Sequence, residues 1–248
     1  ILPLIPEHKV YCEPFFGGGA VFWAKEPVAV EIINDLNNQV INFYKVMKTD
    51  FDSLKTLVDG TLHSRATYKT AMAIYQMPHL FTELQQAWAF YVLSNQGFAC
   101  IIGSWGFGKT KAKSNAFKNK KMRFVPELAE RLEHVQLESN DAVQVIKSRD
   151  TENTFHYVDP PYIGADQGHY SGYTETDFIR LLDTLENIQG KFLLSMYESD
   201  ILDAYVDRNK WFIKKIDMPL VANNTTGLRK RKIEVLVGNY ELGENKRE

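Results

Sequence analysis

The sequence contains little cysteine and no long apolar run. Only Cys12 and Cys100 occur among the 248 residues, and neither lies in a Cys-X-X-Cys pair or near histidines at zinc-ligand spacing. A disulfide-rich secreted protein and a structural zinc site are therefore disfavoured, and we expect a cytoplasmic protein without a metal. Because no apolar stretch approaches the length of a membrane span, we expect no membrane partner either.

An excess of charge of one sign is also missing, since 29 basic and 31 acidic side chains give a formal net charge of −2. The distribution of charge is uneven, however, because the segment from Lys109 to Arg123 contains seven basic residues and no acid, and it follows Trp105 and Phe107. Basic side chains neutralise phosphates, and aromatic rings stack on bases or wedge between them. This combination suits nucleic acid, and a solvated charged loop is the alternative.

The GxGxxG fingerprint of dinucleotide-binding proteins is absent, although a glycine turn is present. Gly17, Gly18 and Gly19 stand between a predicted strand and a predicted helix, and Phe22 occupies the position of the last fingerprint glycine. Such a turn places backbone N–H groups at a ligand, and here it suits a nucleoside better than a pyrophosphate. A plain tight turn is the alternative.

The second and third predicted strands each end in an amide and an acid. Asn34 and Asp35 follow the second strand, and Asn140 and Asp141 follow the third. In these positions Asp35 could accept hydrogen bonds from ribose hydroxyls, and Asp141 could accept one from the exocyclic amine of an adenine cofactor. Alternatively, Asn34, Asp35 or Asp141 is a helix N-cap, and the two explanations are compatible.

The fourth predicted strand ends in Asp159-Pro160-Pro161-Tyr162, where ligands bind in open α/β sheets. Methylation of an exocyclic amine requires acceptors that take its hydrogens and localise the nitrogen lone pair. Asp159 offers a carboxylate, and Pro160 offers a carbonyl held rigid by Pro161. The Tyr162 ring could stack on a base rotated out of a duplex. The polar segment at residues 164–173 is predicted to be a lid over the substrate.

The order of the predicted elements indicates an α/β fold with a helical insertion. At residues 49–122 the alternation of strands and helices gives way to helical periodicity, so we predict a catalytic domain at residues 1–48 and 123–248. Strands predicted at residues 211–213 and 233–240 have no helix between them and should therefore pair antiparallel.

Together these motifs resemble the Dam-type (D12 class) adenine-N6 DNA methyltransferases, which depend on S-adenosylmethionine. Their order, with the cofactor loop before the insertion and the Asp-Pro-Pro-Tyr motif after it, is that of the α group. The resemblance implies a Rossmann-like class I methyltransferase sheet with a C-terminal antiparallel strand and a target-recognition insertion. It covers nearly the whole chain, and the matching segments are residues 13–19, 34–37, 140–141, 159–162, 192–195 and 232–236.

The resemblance also implies a function and a set of site residues. A methyl group would pass from S-adenosylmethionine to the exocyclic amine of a flipped adenine at a specific site in double-stranded DNA, leaving S-adenosylhomocysteine. The catalytic residues would be Asp159, Pro160, Pro161 and Tyr162. The cofactor-binding residues would be Glu13, Pro14, Phe15, Gly17, Gly18, Gly19, Asp35, Leu36, Asn140, Asp141, Ala142 and Asp159. The DNA-binding residues would be Asn95, Gln96, Trp105, Lys109, Lys111, Lys113, Tyr170, Arg229 and Arg231.

Two rival functions stay open at this point. One is an RNA adenine-N6 methyltransferase with the same chemistry, and the other is a DNA-binding homologue that has lost turnover. Members of the family usually carry an upstream Gly-Gly-Lys segment that helps to close the cofactor site, and we expect such a segment before Ile1. The sequence predicts neither the oligomeric state nor the DNA sequence that is recognised.

Overall fold

The structure is a computed structural model that describes residues 1–97, 102–107, 116–163, 172–219 and 231–243, without the side chains of residues 217–219 and 231–233. It contains two compact units, one formed by Ile1–Leu36 with Asn140–Glu248 and the other by Asn37–Ser139. In the part of the chain that the structure describes, no helix combines the length and the apolarity needed to cross a membrane.

The first unit is built on parallel strands followed by an antiparallel pair. The strands, in chain order, are β1 (Val10–Glu13), β2 (Val30–Asn34), β3 (Val135–Glu138), β4 (Thr154–Val158), β5 (Lys191–Tyr197), β6 (Phe212–Pro219) and β7 (Arg231–Gly238). Apart from β3, which belongs to the second unit, they are adjacent in the order β2-β1-β4-β5-β7-β6. β7 runs antiparallel to both β5 and β6. The predicted α/β class with a C-terminal antiparallel strand is confirmed.

The helices alternate with the strands in the first unit and dominate the second. In chain order they are α1 (Ala20–Ala24), α2 (Asn38–Thr49), α3 (Phe51–Gly60), α4 (Arg65–Gln76), α5 (Glu83–Gln96), α6 (Ala116–Met122), α7 (Glu127–Arg131), α8 (Ala142–Arg149), α9 (Glu175–Leu185) and α10 (Asp200–Asn209). Short 3-10 turns occur at Leu2–Leu4 and Pro78–Leu80.

Helix α9 illustrates how the sequence pattern produces the core of the first unit. Thr174 and Asp177 form a capping box that satisfies backbone groups at its N-terminus. Its apolar side chains recur at three- and four-residue spacing, so they share one face, and they are buried with residues of β4, β5 and β7. Burying each such side chain contributes about 2 kcal/mol. They are Phe178, Leu181, Leu182 and Leu185.

Helix α5 is the centre of the second unit, where it packs against α2, α3 and α4. The chain passes from the first unit to the second between residues 36 and 37 and returns between residues 139 and 140, so the second unit is longer than the predicted insertion at residues 49–122, and the predicted domain boundaries stay a prediction. The physical reason is aromatic packing: the Phe43 ring of α2 lies 5.6 Å from Phe90 and 6.1 Å from Phe124. Helix α2 and the segment after α6 therefore pack with the insertion.

Candidate active site

The motif residues of the first unit follow strands that end at one edge of the sheet. β1 is parallel to both of its neighbours, with Cys12 opposite Ile32 of β2 and His156 of β4. The carboxyl ends of the three strands are therefore level, and β1 ends at Glu13 while Asp159 directly follows β4. This edge is where open α/β sheets bind ligands.

Asn34 joins segments that are far apart in the sequence. Its side chain is fully buried. Its Nδ2 donates to the carbonyl oxygens of Pro14, at 2.9 Å, and Asn140, at 3.0 Å. Its Oδ1 accepts from the Asn140 backbone N–H at 2.9 Å. The sequence predicts no such bridge, and the position of Asn34 at the end of β2 is the signal that could indicate one.

The glycine turn is held in shape by Asp35 and by an aromatic ring. Asp35 Oδ2 accepts a hydrogen bond from the Gly17 backbone N–H at 2.8 Å. Gly17 and Gly19 have φ angles of 48° and 62°, which favour glycine. A Cβ on Gly19 would lie 2.3 Å from the Phe16 ring, whereas one on Gly18 would meet nothing within 4 Å. The turn therefore needs glycine at position 19 for two independent reasons.

The alternative in which Asn34 or Asp35 is the N-cap of the helix after β2 is wrong. The cap of α2 is Asn37, whose Oδ1 accepts from the Gln39 backbone N–H at 3.0 Å. The Asp35 side chain is directed to the glycine turn instead. Between Asp35 and the cap, the Leu36 side chain is 74% exposed. An exposed apolar side chain beside a buried acid offers a surface on which an apolar ring can pack.

Asp141 is the N-cap of α8, as predicted, because its Oδ1 accepts from the Gln144 backbone N–H at 3.1 Å. Arg180 of α9 also binds this carboxylate, through Nη1 to Oδ1 at 3.3 Å and Nη2 to Oδ2 at 2.6 Å. A carboxylate has about four acceptor positions. Among the described residues three are used, so Oδ2 can accept one more bond. Arg180 was missed in the sequence, and Ala142 is the buried first residue of α8.

Asp159 is a largely buried acid at the end of β4. Burial raises the pKa of its carboxyl to about 6, while the Tyr162 hydroxyl counters the rise by hydrogen bonding and the Glu234 carboxylate adds to it. The Tyr157 hydroxyl also donates to Asp159 Oδ2, at 3.5 Å. The side chain is therefore mostly ionised at neutral pH, where it can accept hydrogen bonds.

Glu13 is a second buried acid at the same edge, with 2% of the residue exposed. The Tyr11 hydroxyl donates to its Oε2 at 2.6 Å. Burial raises the pKa of Glu13 to about 8, the Tyr11 hydrogen bond counters the rise, and the charge of Asp159 adds to it. Glu13 is consequently neutral at pH 7, so Asp159 carries the negative charge of this acid pair.

The Tyr162 hydroxyl, which hydrogen-bonds Asp159, also lies within hydrogen-bonding distance of Ser195 and Glu234. It lies 2.9 Å from Ser195 Oγ and donates to Glu234 Oε1 at 3.1 Å, and Ser195 Oγ lies 2.8 Å from the same carboxylate oxygen. The ring packs edge-on against Tyr197, with 4.4 Å between centroids and an angle of 69° between planes. Ser195 and Glu234 had been recognised as parts of matching segments, without roles.

Phe15 and three prolines lie in the motif segments at the same edge of the sheet. The Phe15 ring contacts Tyr173 edge-on, with centroids 6.0 Å apart. Pro14 and Pro160 are buried, while Pro161 is partly exposed. The structure thus brings together all the predicted catalytic residues and most of the predicted cofactor-binding residues at one sheet edge.

The predicted DNA-binding residues of the second unit lie in different environments. Gln96 is 2% exposed, and its Nε2 donates to the Leu62 carbonyl, so it does not present its amide at the surface. Asn95 donates from Nδ2 to the Tyr91 carbonyl, although the residue is partly exposed. Both amides are thus engaged within the helical unit.

Trp105 belongs to an aromatic and cationic stack that the sequence only partly indicated. Its ring stacks on Phe107 at 5.7 Å, and the Arg65 guanidinium lies 4.7 Å from its centroid. Phe107 is 60% exposed. An exposed ring backed by a second ring and a cation can stack on a base.

Several predictions fall outside the described residues. These include the lid at residues 164–171 and the side chains of Lys109, Lys111, Lys113, Tyr170, Arg229 and Arg231. Within residues 1–97, 102–107, 116–163, 172–219 and 231–243, no cluster of three or more histidine, cysteine or acidic side chains could hold a metal ion.

Comparison with known proteins identifies a family. Residues 1–217 match the family described as D12 class N6 adenine-specific DNA methyltransferase. The type II methyltransferase M1.LlaDCHI of Lactococcus lactis subsp. cremoris is 25% identical over 259 aligned positions, covering 96% of this chain and 89% of the relative. The type II methyltransferase M.MjaIII of Methanocaldococcus jannaschii is 27% identical over 259 positions, covering 94% of this chain and 89% of the relative.

A third relative matches in part. The DNA N-6-adenine-methyltransferase of Escherichia phage P1 is 30% identical over 169 aligned positions, covering 65% of this chain and 22% of the relative. The family match contains every site segment described above that precedes β7.

Proposed function

The chain belongs to the D12 class of N6 adenine-specific DNA methyltransferases, and we propose that Asp159, Pro160, Pro161 and Tyr162 perform its transfer reaction on a flipped adenine of double-stranded DNA. The protein is a DNA adenine-N6 methyltransferase. The observation that carries the residue assignment is the buried Asp159 carboxylate at the end of β4, ionised at neutral pH and followed by a rigid acceptor and a fixed ring.

The residues at the sheet edge fit a nucleoside cofactor. Asp35 and the glycine turn would hold its ribose and amino-acid part, Leu36 offers an exposed apolar surface, and Asp141 keeps one acceptor position for an exocyclic amine. S-adenosylmethionine, when bound there, supplies a methyl group activated by a sulfonium. Asn34 would fix the spacing between the Asp35 and Asp141 parts of this site through its bonds to Pro14 and Asn140.

Two acceptors act on the adenine amine. The Asp159 carboxylate takes one N–H and the Pro160 carbonyl takes the other, which draws the nitrogen lone pair out of conjugation and directs it at the methyl group. As the carbon–nitrogen bond forms, the carbon–sulfur bond breaks and leaves the neutral thioether of S-adenosylhomocysteine, while the nitrogen becomes positively charged and the ionised Asp159 stabilises that charge. The nitrogen then loses one proton, which gives neutral N6-methyladenine. The Tyr162 ring supplies the surface on which the extruded base stacks, which offsets part of the cost of unstacking.

The exposed stack of the second unit supports DNA as the partner. Phe107 and Trp105 can contact bases, and Arg65 adds a cation beside them. Phosphate contacts are assigned to Lys109, Lys111 and Lys113 on sequence grounds alone.

The test is incubation with methyl-labelled S-adenosylmethionine and an unmethylated, mixed-sequence DNA duplex, followed by nucleoside analysis. Label should appear in N6-methyladenine. Asp159→Asn keeps the shape of the side chain and removes its charge, and it should abolish turnover while leaving DNA binding within about twofold. The matched control is Asp183→Asn on α9, an exposed acid that should leave turnover unchanged. Label in cytosine or nowhere, or methylation of RNA in place of DNA in a parallel incubation, would contradict the function.

A further inference from the structure

Three oxygen–oxygen contacts link Tyr162, Ser195 and Glu234, which is more contacts than there are hydroxyl hydrogens to fill them. Two hydroxyls supply two hydrogens for the Tyr162–Ser195, Tyr162–Glu234 and Ser195–Glu234 contacts. An ionised carboxylate only accepts, so Glu234 Oε1 accepts either from both hydroxyls or from one hydroxyl that itself accepts from the other. Glu234 is the acceptor in each arrangement, and the three side chains form one coupled network.

The network fixes the Tyr162 ring at the end far from the backbone. Pro160 and Pro161 restrict the backbone before Tyr162, and the edge contact with Tyr197 limits the tilt of the ring. Ser195 and Glu234 lie on β5 and β7, which are paired in register with Tyr197 opposite Glu234. Because both anchors stand on paired strands, the ring is held by the rigid part of the unit.

Glu234 has a second effect, through its charge. The groups that bear on Asp159 are Glu13 at the end of β1, Tyr157 on β4, Tyr162, and Glu234 on β7. The negative charge of Glu234 favours protonation of Asp159, in addition to the larger effect of burial. Glu234 thus acts on both the ring and the acid of the Asp-Pro-Pro-Tyr segment.

We propose that Ser195 and Glu234 are positioning residues for methyl transfer, which hold the Tyr162 ring in the plane on which the adenine stacks. This inference rests on the proposed function. It predicts that the losses of kcat caused by changes at Tyr162 and at Ser195 are not independent, and that Glu234 influences the pH dependence of the reaction.

The experiment compares Tyr162→Phe, Ser195→Ala, their double variant and Glu234→Gln, with N6-methyladenine formation in the mixed-sequence duplex as the readout. Tyr162→Phe and Ser195→Ala should each lower kcat about five- to tenfold, with the KM for S-adenosylmethionine unchanged, because one buried hydrogen-bonded network is lost. The double variant should be no slower than the slower single variant, since both changes break the same network.

Glu234→Gln keeps the hydrogen-bond acceptor at position 234 and removes the negative charge. The glutamine Oε1 can still accept from both hydroxyls, so kcat at pH 8 should stay within about threefold of the unmodified protein. The acid limb of the pH–rate profile should move to lower pH, because the charge that favours protonation of Asp159 is gone. A residue with a merely structural role would not move this limb.

A matched control and a folding check accompany these variants. Tyr205→Phe removes another buried tyrosine hydroxyl, one that donates to Asp183, and should leave kcat unchanged. Tyr162 is partly exposed, so Tyr162→Phe carries the test if Ser195→Ala fails to fold. Three results would each overturn the inference. They are an unchanged kcat in Tyr162→Phe, a double variant in which the two losses of kcat multiply, and an acid limb that does not move in Glu234→Gln. Absence of N6-methyladenine with the unmodified protein would instead refute the proposed function, and the inference with it.

Discussion

Replacing Asn34 by alanine should test the framework of the site more directly than any change at the catalytic segment. The side chain is fully buried and makes three hydrogen bonds, one to Pro14 and two to Asn140. The variant therefore removes the connection between the end of β1 and the start of α8 while leaving every predicted catalytic residue in place.

The expected cost follows from the environments of the two partners. Asn140 is exposed, so water can replace the two bonds that it loses, and each bond then costs about 1 kcal/mol. Pro14 is buried, so its carbonyl is left without this donor, which costs about 1–3 kcal/mol. The free energy of unfolding should fall by about 3–5 kcal/mol. The affinity for S-adenosylhomocysteine should fall about tenfold, because the segments that contain Asp35 and Asp141 are no longer held at a fixed spacing.

Urea unfolding measures the first quantity, and isothermal titration with S-adenosylhomocysteine measures the second. Asn187→Ala is the matched control, because this exposed residue donates a single hydrogen bond, to the Asp183 carbonyl on α9. The control should lose at most about 1 kcal/mol and no affinity. If Asn34→Ala were no less stable than the control, or bound S-adenosylhomocysteine as tightly as the unmodified protein, the framework role of Asn34 would be refuted.

Three further outcomes are expected. Gly19→Ala should destabilise the fold by about 2 kcal/mol or more, because the residue has a positive φ and its Cβ would clash with a ring, whereas Gly18→Ala should be nearly neutral in the same thermal unfolding assay. Arg180→Met should weaken S-adenosylhomocysteine binding in a titration, because Asp141 loses its orienting partner, and should change stability by less than about 1 kcal/mol since the pair is exposed. The rate of methylation should fall below about pH 6, as Asp159 becomes protonated, and a limb near its ordinary pKa of about 3.9 would contradict this. The same raised pKa makes the folded protein bind the proton more tightly than the unfolded chain, so this group's contribution to stability should decrease as the pH rises towards 6.

The fold was predictable because periodicity and turn residues specify local structure strongly. The two C-terminal strands, for example, are antiparallel neighbours as predicted, since the sequence predicts no helix between them. The division between the two units was not predictable in the same way. It depends on which rings Phe43 meets, and contacts between residues distant in sequence leave no periodic signal.

The residues of the candidate site differ in the same way in how well the sequence locates them. Asp159 and the glycine turn could be located because each is defined by neighbours in the sequence. Arg180, Ser195 and Glu234 could not, because each acts on a residue at least 33 positions away, as in the Tyr162–Ser195 contact. The helix cap after β2 was misassigned for a related reason: Asp35 binds Gly17 across the strand edge, which leaves the cap to Asn37.

The two acids at the strand edge explain how one site can attract a cationic methyl donor and still align a neutral amine. Were Glu13 and Asp159 both ionised, each would lose solvation and they would repel each other, at a cost of several kcal/mol. Burial and the charge of Asp159 raise the pKa of Glu13 to about 8 despite the opposing Tyr11 hydrogen bond, so Glu13 is mostly protonated at neutral pH and the negative charge of the pair lies at Asp159. That charge lies directly before the Pro160 carbonyl and the Tyr162 ring, where the proposed mechanism places the adenine nitrogen as it becomes positive. In that mechanism the protonated Glu13 would leave Asp159 as the acid of the pair that stabilises the developing charge.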